Sequence, residues 1–590
     1  MSALPTDSKK LMAKALELIQ ACRSSVGQRA AAYRQLAMMA DSGRADGTRA
    51  RVNMLYRQLD RVASHLFSPT ELQFSVDFDE DYPQETMLRG QRVARLLTRK
   101  WQRSGTDMIF GLGVFEALKY GAVILKQWPS QDKGLAPKHN RGLVMPWQFG
   151  LYREDTNDIA QHPALCETFM LTMPEVWRRI WFLPDAKKLF DRIAASAKQG
   201  SVDDEMNSFF HQVLSSNQIN TSGVQSASRP IPGGIVQLGN TSNQGMIGPN
   251  VEVPLVKMHE LWVWDEDDYT TIQIIEPDIL VAPLVKKSNL LISAPTIPST
   301  GDGPHQPEAE KSQLHPYTLI QPNMVHGNFW GRSDLADVLS AQDDLAQFAD
   351  DQTRLIGLLI DKIIGFNGVD GLTDEAYGQM KSAGFFTSPP GSTIVDLTPS
   401  FPPQLPEIIK EQIALIEMLG GLDGMMSGRG EPGVRAGSMQ NNLMKTSSPG
   451  LRDRSLLVER QCAEAADLWL SVMEAKDPTT YWIDGTNHDS RDKTSFTLND
   501  LPEDRYVSVD SHSGSPIFAD DHTQLVAFGL KAGILGPEDA LDDLPFPSKE
   551  IKRARLKQRV AEKNKMVQEL IQKDPQAAEK LLAGKGGGHH

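Results

Sequence analysis

Between Asn328 and Ile364 the chain reads "NFWGRSDLADVLSAQDDLAQFADDQTRLIGLLIDKII", whose apolar spacing predicts one long helix, acidic in its first half. A proline-closed insert, a second apolar helix and a glycine-rich stretch follow it, and this order limits the possible architectures more than any other feature. Ser333 is the expected N-cap, with Asp334 and Asp337 in the first turn, where the helix dipole favours negative charge. Asp343, Asp344, Asp350 and Asp351 lie beyond that turn, and Arg354 is the only basic residue between Ser333 and Ile360. Dipole and local pairing therefore leave these four carboxylates unexplained. Leu335, Val338, Leu339, Leu345, Phe348, Leu355 and Leu359 form an apolar stripe opposite them. From Ser333 to Ile360 such a rod spans about 42 Å. It needs packing partners, either from the same chain or from identical helices arranged around a closed ring.

The rest of the composition narrows the class. A chain of 590 residues, 40% of them hydrophobic, is too long for one core and predicts two to four domains. A formal charge of -14 excludes a basic nucleic-acid coat, so any DNA contact has to be local. Cys22, Cys166 and Cys462 show neither paired nor zinc-ligand spacing, which points to a reducing, cytoplasmic setting. The first twenty residues form an amphipathic helix without the features of a secretory signal, and the longest apolar clusters fall short of the ~20 residues that span a bilayer. No membrane association is expected.

Residues 6 to about 126 are expected to be mostly helical. "GAVILKQW", "LVMPWQFGLYRED" and "CETFMLTM" then read as strands, and "PEVWRRIWFLPDAKKLFDRIAASAK" as helix. Asn217 to Asn250 is a polar excursion, followed by strands around an acidic turn at Asp265 to Asp268. Pro406 and Gly420 bracket the second apolar helix. Gly420 to Gly437 carries seven glycines in eighteen residues. A helix from Ser438, broken or kinked at Pro449 and Gly450, runs to about Ala475. Strands and turns occupy 479 to 517, and a final helical region covers 521 to 584. The fold class expected is α+β, mostly helical.

"HPYTLIQPNMVHGNFWGRSDLADVLSAQDDLAQ" resembles the signature of portal proteins (head-tail connectors) of tailed bacteriophages, podovirus-like, in which an aromatic-Gly-x-Ser turn leads into a long helix with a conspicuous glutamine. "FEALKYGAVILKQW" is similar to their upstream helix-to-strand segment. The resemblance implies a ring, a dodecamer in the virion, with a central DNA channel. By position it implies a wing over 1–332 and 438–520, stem helices at 333–362 and 406–419, a clip at 363–405, a tunnel loop at 420–437, a crown at 521–584 and a short tail at 585–590. It further implies a virion location at the capsid portal vertex, with assembly in the host cytoplasm. Double-stranded DNA passes through the channel during genome packaging and ejection. The implied protein partners are terminase, then head-completion, adaptor or tail proteins, together with major capsid and scaffolding proteins. Acidic walls would let a polyanion slide, because many Lys or Arg contacts would make each step cost counterion exchange.

Against that frame, Asp343, Asp344, Asp350 and Asp351 become the expected channel lining, in place of an ordinary solvated helix face. Met425, Met426, Arg429 and Arg435 become the DNA-facing tunnel loop, where glycines allow rearrangement and thioethers give soft contact. Lys552, Arg553, Arg555 and Arg559, in a dense basic helix, are possible crown contacts to DNA or an acidic partner. A second basic cluster, Arg89, Arg92, Arg95, Arg99, Lys100 and Arg103, reads as inter-subunit salt bridges or a solvated face.

Catalysis finds no motif. There is no P-loop, His259 and Glu260 lack the second histidine of a metalloprotease, and Asp510 and His512 beside Ser511 and Ser513 lack a nucleophile elbow. "DFDEDY" and "DEDDY" match no Ca²⁺ loop. No enzyme activity, cofactor or metal is expected. Another virion ring or adaptor, or an enzyme with an unrecognised site, are the competing readings.

Overall fold

A computed structural model describes residues 8–44, 48–69, 72–79, 82–129, 139–181, 185–199, 255–265, 268–276, 279–280, 285–286, 315–360, 364–367, 393–396, 400–420, 449–477, 479–484, 493–502, 504–509, 519–532 and 536. Its architecture is α+β and mostly helical. The first helices are α1 (Ser8–Ser42), α2 (Leu55–Leu66), α3 (Gln84–Ser104) and α4 (Thr106–Tyr120), with β1 (Phe74–Phe78) between α2 and α3. Helical spacing decides what is buried: α2 turns Leu55, Leu59, Val62 and Leu66 inward.

Two antiparallel sheets follow. One has the order β10-β2-β3, from Tyr317–Ile320, Val123–Pro129 and His139–Val144. The other is built from β4 (Phe149–Leu151), β5 (Ala164–Thr172), β6 (Leu255–Asp265), β7 (Asp268–Ile275) and β8 (Ile279–Leu280), with β9 (Val285–Lys286) also paired to β7. β6 and β7 pair up to Asp265 with Asp268, the two ends of the expected acidic turn, in a register that sets Trp262 against Thr271 and Leu261 against Ile272. α1 covers one face of this sheet, Leu11, Ala15, Leu18 and Cys22 meeting Ala164, Cys166, Leu261 and Ile272. α5 (Met173–Ile180) and α6 (Ala186–Gln199) cover a further part through Val176, Ile180 and Ile193. The single helix expected for this last segment is two helices, α5 ending at Ile180 and α6 beginning at Ala186, with Asp185 just before α6 at a positive φ of 58°. Cys22, Cys166 and Cys462 are free and buried.

The largest core is organised by α9 (Pro449–Lys476), after α7 (Leu339–Ile360), the ribbon β11–β12 (Ile364–Asn367 with Thr393–Asp396) and α8 (Leu405–Leu419). Val458, Cys462, Trp469, Leu470 and Met473 of α9 are fully buried among residues of α2, α3, α4 and the β10-β2-β3 sheet. His139 stacks on Trp469 with ring centroids 3.8 Å apart and bonds Gln127 at 2.6 Å. Burial holds its pKa down at about 3, with Arg141 acting in the same direction. β13 (Tyr481–Asp484) pairs with β14 (Lys493–Phe496). β15 (Arg505–Val509) pairs with β1, so the early and late parts of the chain close one body. α10 (Ala519–Ala532) is the last described helix.

Candidate functional site around the acidic helix

The acidic helix begins later than its sequence predicts. Ser333 does accept a hydrogen bond, at 3.1 Å from the Leu335 amide, but its hydroxyl donates to the Lys119 carbonyl, and residues 334–338 are turns preceding the helix proper at Leu339. The cause lies just upstream. Gly327 and Gly331 adopt positive φ, 72° and 61°, and a Cβ on Gly331 would stand 2.5 Å from the Asn323 carbonyl oxygen. Gly121, at φ 100°, admits the Trp330 carbonyl where a Cβ would meet it at 2.4 Å.

This compact lead-in is anchored on three sides. Trp330 donates to Glu154 at 3.0 Å, and Arg29, ion-paired with the same carboxylate, lies over the Trp330 ring at 4.6 Å. Burial pushes the Glu154 carboxyl up, but the bonds from Arg29, Ser25 and Trp330 outweigh it and leave the pKa lowered. Gln321 exchanges backbone bonds with the Gln461 side chain of α9 at 2.9 and 3.2 Å. Asp334 accepts two bonds from Arg454 of α9, at 2.8 and 2.7 Å, and Asp337 pairs with Arg332. Both aspartates are thus held by arginines rather than placed in a helical first turn.

Gln342 is fully buried in the first turn of α7. Its side chain accepts from the Met54 amide at 3.0 Å and donates to the Val52 carbonyl at 2.8 Å, fixing the helix to the segment before α2. The sequence makes this glutamine conspicuous but carries no local sign of its partners. Ala341, Leu345, Ala346 and Ala349 are also buried, whereas Ile356, Leu359 and Ile360 are exposed. α8 packs on α7 and returns to the core at Ile416, with Ile408, Met418 and Leu419 exposed. The 22 residues of α7, about 33 Å long, therefore leave the core as one arm of a two-helix strut whose apolar side chains are only partly covered.

The four expected lining carboxylates separate into two kinds. Asp343, Asp344 and Asp351 are exposed on α7. Asp350 has the basic partners that local sequence lacked: Arg44, which also bonds the Ala346 carbonyl at 3.2 Å, and Arg51 at 3.5 Å. Met425, Met426, Arg429 and Arg435 lie outside the described residues, as do Lys552, Arg553, Arg555 and Arg559. An open cleft of about 500 Å³, lined by residues including Asn323, Met324, Asp337, Leu419, Arg454 and Leu457, sits where α8 ends and α9 begins.

A buried charge cluster fixes β10, which leads into this region. Lys126 Nζ lies 2.5 Å from Glu167 and 2.8 Å from Glu260, joining the two sheets. Tyr317 of β10 donates to Glu167 at 2.8 Å, Trp262 to Glu260 at 3.0 Å and Gln273 to Glu260 at 3.2 Å. Burial raises the Glu167 pKa, an effect that Lys126 opposes and Glu260 reinforces. At Glu260 the penalty of burial is outweighed by Lys126 and the bonds to it, and the pKa is lowered.

His259 bridges strands, bonded to Thr168 at 2.9 Å and Glu276 at 3.1 Å. Asp510, Ser511, His512 and Ser513 lie outside the described residues. Among the described residues no group of three or more His, Cys, Asp or Glu could hold a metal ion, and no helix is long and apolar enough to cross a membrane.

No family model matches the chain, and no curated protein does. Among solved structures it is similar to the neck of a native GTA particle computed with C12 symmetry, at 12% identity and a TM-score of 0.35, over 84% of this chain and 90% of that one.

Proposed function

We propose that the chain is the subunit of a phage portal, a ring at the capsid vertex through which the genome enters and later leaves. The observation that carries this reading is the strut. A helix with exposed carboxylates leaves the core, a β-ribbon caps the excursion, a shorter helix returns, and exposed Ile356, Leu359, Ile360, Met418 and Leu419 await cover from neighbouring copies. The portal-like residues around Asn328 to Asp344 form the anchored turn from which that strut departs.

In this reading Asp343, Asp344 and Asp351 face the bore and repel phosphate, while Asp350 locks the helix to Arg44 and Arg51. Met425, Met426, Arg429 and Arg435 belong to the loop that touches DNA, and Lys552, Arg553, Arg555 and Arg559 to a crown above it. The ribbon between α7 and α8 offers the docking site for terminase, which supplies the energy, and afterwards for head-completion, adaptor or tail proteins. The subunit itself performs no catalysis.

Particle images of the purified chain along its symmetry axis test the proposal. They should show a closed ring with a bore wider than duplex DNA and α7 lining it. A monomer at micromolar concentration, or a ring with α7 on its outer wall, would refute it.

A further inference from the structure

The portal reading gives α3 no task, yet this helix carries an unusual surface. At 100° per residue, Arg92, Arg95, Arg99 and Arg103 fall within an arc of about 80°, opposite the buried Val93, Ala94, Leu97 and Trp101. All four arginines are exposed. The remaining basic residues of the helix are already engaged, Arg89 by Glu85 at 2.7 Å and Lys100 by Asp477 at 2.8 Å. Arg92, Arg95 and Arg103 have no carboxylate partner among the described residues. The helix dipole accounts for Arg103 in the last turn but not for Arg92 or Arg95 in the middle. Repulsion within such a stripe is unfavourable in a free molecule, and a chain of charge -14 has many carboxylates, yet among the described residues none pairs with Arg92, Arg95 or Arg103.

We infer that the α3 stripe is a binding surface for the sugar-phosphate backbone of duplex DNA, separate from the channel. Its occupant follows from charge and shape. Arg92, Arg95 and Arg103 span about 16 Å of helix axis, a length over which B-DNA presents one phosphate per ~1.7 Å of its own axis. Guanidinium is also the side chain that grips phosphate in a bidentate fork. Contacts of this kind go to phosphate oxygens, which carry no sequence information, so binding is independent of sequence. The inference rests on the portal reading only for where DNA is met.

The test is binding of the full chain to a fluorescent random-sequence duplex across a salt series. Removing three phosphate contacts in R92Q/R95Q/R103Q should lower the slope of log affinity against log salt by about 2–3. Between 50 and 200 mM salt the parent affinity should then fall about 40-fold more than that of the variant. The charge-preserving R92K/R95K/R103K should retain most of the slope. A control that removes three other exposed cations, R178Q/K187Q/K188Q, should leave it intact. An unchanged slope in R92Q/R95Q/R103Q, or an equal loss in the control, would overturn the inference. So would a variant with normal DNA binding but altered oligomer mass, which would make the stripe a protein interface. Ring assembly, followed in parallel by mass photometry, separates failure of this inference from failure of the portal reading.

Discussion

Replacing Lys126 with Met probes the joint between the two sheets. The ammonium is the only cation within bonding reach of Glu167 and Glu260 among the described residues, and the side chains of all three are at most 14% exposed. Without it, two buried carboxylates face each other with only Tyr317, Trp262 and Gln273 as donors. Breaking a buried pair from one side costs about 3–5 kcal/mol, because the remaining charge is left uncompensated. The urea midpoint at pH 7.5, followed by tryptophan fluorescence, should fall accordingly. The sign of the pH dependence is set by the glutamates. With Lys126 removed, both favour the protonated form, so their folded pKa values lie above the unfolded ones. Stability is then fullest below the unfolded value, near 4.5, and is lost as pH rises. The deficit of K126M should therefore shrink between pH 7.5 and 5, and K126M/E167Q/E260Q should recover most of the loss at pH 7.5. A K126M unfolding free energy within about 1 kcal/mol of the parent, or a deficit independent of pH, would refute the reasoning.

Other consequences follow from the same geometry. Q342A should cost about 2–4 kcal/mol, since the Met54 amide and Val52 carbonyl lose a buried partner, and hydrogen exchange should rise at residues 52–54. G121A should lower thermal stability by more than about 1 kcal/mol, because φ 100° and the Trp330 carbonyl at 2.4 Å both reject a Cβ; calorimetry would detect it. His139 is depressed to about 3, so the unfolded chain takes up its proton first as pH drops below 6.5. Stability should decline by up to about 1.4 kcal/mol per pH unit between there and pH 3, and H139F, which keeps a ring on Trp469, should remove that component of the urea midpoint's pH dependence. D343N/D344N/D351N should leave folding unchanged, whereas D343K/D344K/D351K should slow DNA translocation in a packaging assay; equal translocation rates would argue against an acidic bore.

Periodicity made most elements readable, since α2, β5, β6, β7, α8 and α9 each state their inward face in their own residues. α7 starts later than its residues suggest because local helix propensity at 334–338 is overridden by the Gly331 turn and the bonds that Ser333 and Asp334 make to α4 and α9. Asp350 looked unpaired for a related reason: its partner Arg44 is 306 residues away. The Lys126 cluster joins residues 41 and 134 positions apart and leaves no local pattern at all. The basic composition of α3 is plain in its residues, but only the structure separates Arg89 and Lys100, engaged by Glu85 and Asp477, from Arg92, Arg95 and Arg103.

The β1–β15 ribbon sets a timetable for the newborn chain. Ser75 and Ser508 touch at 2.6 Å across 433 positions, a separation that takes a ribosome roughly 20–90 s to cover. Until Val509 has emerged, Phe74 and Val76 lack their pairing strand, and Phe74 is the ring that packs edge-on against the buried Trp101. A polypeptide terminated before that point can therefore fold its early helices yet lacks the strand that closes its body.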